Sequence, residues 1–174
     1  VVGMLVDDGT LGWDDPVTDH LPWFELPIDS DDAQAQVTLR DLLSHRTGFT
    51  RMSALIRNPG VSAETILRTA TQAEPWAPFR ERWQYTNVMV LAAGTAAAAA
   101  AGSDWETLVQ RRIFSPLFMG DSFTDVPEGR EVEGRYGPGY SWDPATETFE
   151  QQPLPNVAAV RPAGSIHSTA RDMA

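Results

Sequence analysis

The longest apolar run in the chain, residues 88–101, does most to limit what it can fold into. The run is rich in alanine, the residue most favourable to helix. Gly94 and Thr95 interrupt it, and it falls short of the roughly 18 uninterrupted apolar residues of a membrane span. It therefore suits a buried helix of a globular core better than a bilayer. The pattern predicts a helix over 86–101, stopped by Gly102. Alanine methyls allow neighbouring elements to approach this helix closely.

Start and stop signals arrange further helices around it. Thr38, with Asp41 in the reciprocal position of a capping box, predicts a helix over 39–45, followed by Gly48. Ser62 caps a helix over 63–72, with Ile66 and Leu67 on its buried side. Ser103 with Glu106 forms a capping box for a helix over 104–114, which Pro116 stops. Residues 10–37 contain Pro16, Pro22 and Pro27 and read as a packed coil. Late in the chain, 135–142 and 148–151 read as short strands around a turn at Asp143-Pro144-Ala145-Thr146. With 174 residues, no internal repeat and no disordered linker, the chain reads as one mostly helical unit with a small hairpin. Both ends look cut. Val1, Val2, Leu5 and Val6 already carry helical apolar spacing with no cap before them, and Gly9 closes the segment. Ser168 or Thr169 caps a helix, with Asp172 in the box position, and the chain stops one turn later at Ala174.

Composition removes several functions. A formal net charge of −11 repels phosphate backbones and anionic lipid, which argues against nucleic acid and bilayer surfaces as partners. Cysteine is absent, so there is no disulfide, thiolate metal site or cysteine nucleophile. No metal motif is formed by His20, His45 and His167, each of which reads as structural, and no cofactor is implied. Glycine-rich phosphate and dinucleotide fingerprints are missing, as is a Gly-x-Ser-x-Gly elbow.

The informative stretch is Pro75-Trp76-Ala77-Pro78-Phe79, followed by Tyr85-Thr86-Asn87 at a helix start. It resembles the serine β-lactamase and penicillin-binding-protein superfamily, in particular the class C and esterase branch, where Tyr-x-Asn replaces Ser-x-Asn. Other segments fall in the family's order. Val6-Asp7-Asp8-Gly9-Thr10-Leu11 with Asp15-Pro16-Val17 resembles the stretch after the nucleophile helix. The run from Thr38-Leu39-Arg40-Asp41 to His45-Arg46-Thr47-Gly48 resembles its helix and His-x-x-Gly signature. Ser115-Pro116-Leu117-Phe118-Met119 resembles its Pro-Leu-Gly-Met turn, and Ala163-Gly164-Ser165 with Thr169-Ala170-Arg171-Asp172-Met173 resembles the approach to its last large helix. Phe79 and Phe118 stand where the family has glycine. Phenylalanine does not take up a glycine-only backbone cheaply, so both turns are expected to differ from the family's.

The resemblance implies an α+β, β-lactamase/transpeptidase-like fold, of which residues 1–174 form a partial domain, mostly the α-helical lobe with a small β-hairpin. It implies a serine acyl-enzyme acting on an amide or ester: a β-lactam, a D-amino-acid peptide or a simple ester. Tyr85 would relay the serine's proton and later protonate the leaving group, while Asn87 would hydrogen-bond the lysine and the substrate's amide carbonyl. Phenols ionise near pH 10, so a tyrosine base working near neutrality needs its proton affinity lowered about a thousandfold, roughly 4 kcal/mol. One surface arginine does not supply that; two nearby lysine ammonium groups contribute much of it. Yet lysine is absent, all 13 basic residues being arginine, so neither Ser-x-x-Lys nor Lys-Thr-Gly lies in this chain. The nucleophile motif is expected before Val1 and the sheet motif beyond Ala174, and the chain alone is expected not to acylate.

Partners follow as a small-molecule or peptide substrate, with no nucleic acid and no membrane span, and the family analogy implies a periplasmic or secreted protein. The oligomeric state is not legible. Trp76, Trp83 and Trp105 read as core or lobe-packing residues, with Trp83 near enough to Tyr85 to line a cleft. One alternative is a catalytically inactive binding or scaffold homologue on the same fold. Another is an unrelated helical interaction module, in which Tyr85 is buried and its hydroxyl is bonded to backbone.

Overall fold

In a computed structural model, residues 1–56, 60–124, 137–153 and 157–174 are described. Their helices are α1 (Val2–Asp7), α2 (Val17–His20), α3 (Leu39–Leu43), α4 (Ser53–Ile56), α5 (Ala63–Ala70), α6 (Asn87–Ala100) and α7 (Trp105–Val109). A π-helical turn, Gln110–Phe114, continues α7, and a 3-10 helix spans Ala158–Ala163. The antiparallel strands β1 (Gly139–Asp143) and β2 (Thr148–Gln152) pair with Trp142 opposite Phe149. The mostly helical, α+β expectation holds.

Helix α6 is the centre of the core, as its composition requires. Val88, Met89, Leu91, Ala92, Ala93, Ala96 and Ala97 are buried, and the helix packs against α1 to α5, α7 and the 3-10 helix. The small side chains are used for close approach, most sharply at Gly94. A methyl built there would stand 2.3 Å from Cβ of Pro162 on the 3-10 helix. Among the described residues, no single helix is long and apolar enough to cross a membrane.

Capping chemistry sets the other helix starts. At α3 both arms of the capping box form, with Thr38 Oγ1 accepting from the Asp41 amide and Asp41 accepting from the Thr38 amide. Ser62 caps α5, and Ile66 and Leu67 face the core. At α7 the cap is Asp104, which accepts from the Thr107 amide, and not the expected Ser103 with Glu106. The Ser103 amide is taken up by the Ala98 carbonyl at the end of α6, Asp104 accepts from both the amide and the hydroxyl of Thr107, and Glu106 instead pairs with Arg161 at 2.7 Å.

Two four-residue helices, α2 and α4, lie where coil was expected or no element was assigned. Each is one turn, too short to show a period, and the first amide of α2 is held by the Val37 carbonyl from across the loop. The hairpin stands where it was expected, although positions 135 and 136 of the first predicted strand lie outside the described residues. Near the end, Thr169 Oγ1 accepts from the Asp172 amide as predicted, but the segment forms a turn and not the expected helix. The Asp172 carboxylate accepts from the Asp121 amide and the Ser122 hydroxyl instead of completing a capping box.

The glycine-replaced turns come out differently from one another. Phe118 does adopt the left-handed backbone, with φ 57, so the expectation that phenylalanine would avoid it is overturned. The hydrogen bonds that close the helix end fix that conformation whatever residue occupies it. In the earlier turn the left-handed residue is Arg80, with φ 68, and Phe79 is buried in an ordinary conformation.

Candidate active site

Tyr85 and Asn87 sit at the entry to α6, a placement set by the two-residue spacing and by what precedes it. Thr86 is the N-cap by position, yet its side chain makes no capping bond. Its hydroxyl donates to the Arg51 carbonyl at 3.4 Å, and its amide donates to Nδ1 of His45 at 3.4 Å. The backbone at Tyr85 is thus pinned from two sides by residues about forty positions earlier. The Gln84 amide adds a third pin, donating to the His45 carbonyl at 2.9 Å.

His45 can do this because of its backbone. It follows the end of α3 with φ 58, in the left-handed region that histidine tolerates better than most residues. Its amide bonds the Leu42 carbonyl, and the next amide, Arg46, bonds the Asp41 carbonyl, the paired bonds of a Schellman corner. The corner turns the imidazole toward the start of α6. There it lies 4.8 Å, centroid to centroid, from the Tyr85 ring and 6.0 Å from the Trp83 ring, edge-on to the latter. Burial lowers the His45 pKa, which favours the neutral ring that a nitrogen acceptor requires.

Asp41 supports the corner from below. Its side chain is 0% exposed, and it accepts bonds from Thr38, from Nε of Arg46 at 2.7 Å and from two guanidinium nitrogens of Arg80 at 3.0 and 2.8 Å. Burial alone pushes this carboxyl up, but the bonds from Arg80, Thr38 and Arg46 outweigh it and hold the pKa at about 2. The carboxylate therefore ties the start of α3 to the turn at Arg80 that leads into Tyr85. Gly48 completes the support. It lies at φ 85, and a Cβ there would come 2.4 Å from the Ala77 carbonyl, so the turn before Tyr85 rests directly on its backbone.

The Tyr85 hydroxyl donates to Oδ1 of Asn87 at 2.5 Å. The phenol is half-buried, and its proton goes to a side chain and not to backbone, contrary to the packing-and-capping alternative. With its own proton committed to Asn87, the phenol oxygen keeps lone pairs to accept another, and the Asn87 amide nitrogen is left to donate. The Arg51 guanidinium lies over the Tyr85 ring, 5.4 Å from its centroid. Trp83, 68% exposed, stands at the rim beside His45 and does not pack in the core. Trp76 is likewise 52% exposed, so neither packs in the core of the described residues; the Trp76 backbone is held by the Gly48 carbonyl, which accepts from its amide at 3.0 Å, while its ring stays outside. No group of three or more His, Asp or Glu side chains is placed to hold a metal among the described residues.

The sequence reading found Tyr85 and Asn87, took Asp41 as a helix cap and His45 as structural, and passed over Arg80 and Arg51. One signal was available: a histidine immediately after a strong capping box, where a helix stop would take glycine.

The chain is similar to known proteins over its whole length. The family model described as Beta-lactamase matches residues 1–174. An unguisins hydrolase of Aspergillus campestris (strain IBT 28561) is 27% identical over 183 residues, covering all of this chain and 34% of that protein. Among solved structures, the D-amino acid amidase of Ochrobactrum anthropi SV3 is 26% identical with a TM-score of 0.75, over 99% of this chain and 49% of that one. A class C β-lactamase has the same fold, with a TM-score of 0.75 at 17% identity, over 99% of this chain and 44% of that one. The chain therefore spans about a third of the length of that curated relative and about half of those structures or less.

Proposed function

Because this chain belongs to the Beta-lactamase family, we propose that it supplies the tyrosine half of a serine acyl-transfer site, in a protein that hydrolyses an amide or ester. Tyr85 takes the proton of the attacking serine and returns it to the leaving group. Asn87 orients the phenol and donates its amide to the substrate's carbonyl side. The serine and its lysine partner come from outside these 174 residues, since the chain holds no lysine. β-Lactam, D-amino-acid peptide and simple ester all fit this chemistry, because the fold does not select among them.

The observation that carries this reading is the 2.5 Å bond from the Tyr85 hydroxyl to Asn87, made by a half-buried phenol beside an imidazole and a guanidinium. A tyrosine that only packed would direct its hydroxyl at backbone. In the full-length protein, Tyr85→Phe is expected to lower kcat by roughly 10²- to 10⁴-fold, the usual contribution of a positioned acid–base group. Wild-type kcat in that variant would remove the assignment. The 174 residues alone are expected to give no burst of acyl-enzyme in stopped-flow or mass spectrometry, and a burst would sink the split-site reading.

A further inference from the structure

We infer that Arg51 is a specificity-determining residue that receives an anionic group of the substrate, a carboxylate in the first instance, beside Tyr85. The inference rests on the reading of Tyr85 as the proton-relaying phenol. Three observations lead to it. The guanidinium lies on the face of the Tyr85 ring, 5.4 Å from the centroid. A planar guanidinium on an aromatic face keeps its edge N–H groups free to fork onto a carboxylate. Second, Arg51 is exposed and has no ion pair among the described residues, whereas Arg46, in the corner after α3, and Arg80, in the turn before Tyr85, are both committed to Asp41. Third, its backbone is fixed. Its carbonyl accepts from the Thr86 hydroxyl, and Met52 turns the chain immediately afterwards with φ 48. A left-handed methionine costs free energy that the surrounding structure has to support, and such strain collects at functional sites.

The other role open to this cation is to make Tyr85 more acidic. One exposed guanidinium, screened by water, falls well short of what a phenol needs to work as a base near neutrality. Capture of an anion does not need that much. The chain's formal net charge is −11, so its general field repels anionic substrates, and Arg51, without an ion pair among the described residues, supplies a local attraction beside Tyr85. Trp83, exposed at the rim next to His45, gives the substrate's apolar part a surface to lie on.

The test uses the full-length protein and two matched pairs of esters. One pair, 4-nitrophenyl butyrate and 4-nitrophenyl hemisuccinate, differs by a carboxylate on the acyl side. The other, phenyl acetate and 3-acetoxybenzoate, differs by a carboxylate on the leaving group. The wild type is expected to prefer the anionic member of one pair by roughly tenfold to a hundredfold in kcat/KM, the range of a charge-assisted hydrogen bond. Arg51→Gln is expected to collapse that ratio toward one through KM, and Arg51→Lys to restore part of it. No preference in the wild type for either pair overturns the inference. So does an unchanged ratio in Arg51→Gln, including equal losses on both members with a displaced pH profile, which would show Arg51 acting through Tyr85. Tyr85→Phe separates the two levels: full turnover of all four esters in that variant removes the Tyr85 reading itself, whereas loss of turnover with no Arg51-dependent ratio removes only the role of Arg51.

Discussion

The corner that follows α3 and the corner that follows the π-helical turn are built from the same backbone bonds and from residues that suit them poorly. At the first, the His45 amide bonds Leu42 and the Arg46 amide bonds Asp41; at the second, the Phe118 amide bonds Ser115 and the Met119 amide bonds Phe114. His45 and Phe118 have φ 58 and φ 57, where Gly9 and Gly102 end α1 and α6 with the same pair of bonds at φ 77 and φ 58. A left-handed conformation costs a residue with a Cβ about 1–2 kcal/mol. His45 offsets that cost with the Thr86 bond and two ring contacts. Phe118 is 92% exposed and has no ring partner among the described residues. A strained corner is thus tied to function only where its side chain is tied to something else, and the strain by itself does not distinguish the two.

The largest expected effect breaks the first corner from below. Asp41→Ala leaves the α3 cap and two partly exposed guanidinium groups without their shared acceptor, and losing a cap together with charge-assisted hydrogen bonds typically costs about 2–3 kcal/mol. The second corner has no counterpart to lose, so denaturant midpoints should fall far more for this change than for any at Phe118. The same carboxylate gives a pH signature. Its folded pKa, about 2, is below the ordinary value of 3.8, so its contribution to stability is complete above that ordinary value. That contribution is lost as the pH falls toward 2, and the acid-unfolding curve of Asp41→Asn should be flatter than the wild type's over that window.

Next in size is His45→Gly, which relieves the backbone but removes the ring. The Thr86 amide loses its acceptor and Tyr85 loses its neighbour, so kcat of the full-length protein should drop on the order of ten- to a hundredfold, as expected when a catalytic group is slightly misplaced. Unchanged kcat would make the first corner no more functional than the second. Acid sharpens the point. The folded pKa of His45 lies below its ordinary value, so the stability this neutral ring contributes is present above pH 6.5 and declines as the pH falls below it. Urea midpoints at pH 7.5 and 5.5 should therefore separate more in the wild type than in His45→Asn, which keeps a left-handed-tolerant residue without the titration.

The smallest effect has the opposite sign. Phe118→Gly removes strain and no described ring contact, and it should raise stability by about 1 kcal/mol, visible as a higher Tm with kcat unchanged. A loss of stability would mean that the exposed ring is covered by something, and the contrast between the corners would narrow.

Sequence alone settled the features that depend on near neighbours. The Thr38–Asp41 box, the Ser62 cap, the stops at Gly9 and Gly102 and the alanine-rich centre of the core are each written in four to fifteen consecutive residues, and all are present. The Tyr85–Asn87 pair was legible only through the order of motifs that resembles the family, since a lone Tyr-x-Asn carries little by itself; the structure adds the bond between the two side chains. Tertiary structure decided the rest. It placed His45 and Arg51 beside Tyr85 across about forty residues, and it made Gly94 necessary in a helix whose propensity favours alanine, because Pro162 occupies the space of a methyl. It also put phenylalanine in a glycine conformation at Phe118, since the two hydrogen bonds closing the helix outweigh a local preference of one or two kcal/mol. Local propensities are small and read along the chain, whereas these contacts are set by packing between distant segments, which the order of residues does not display.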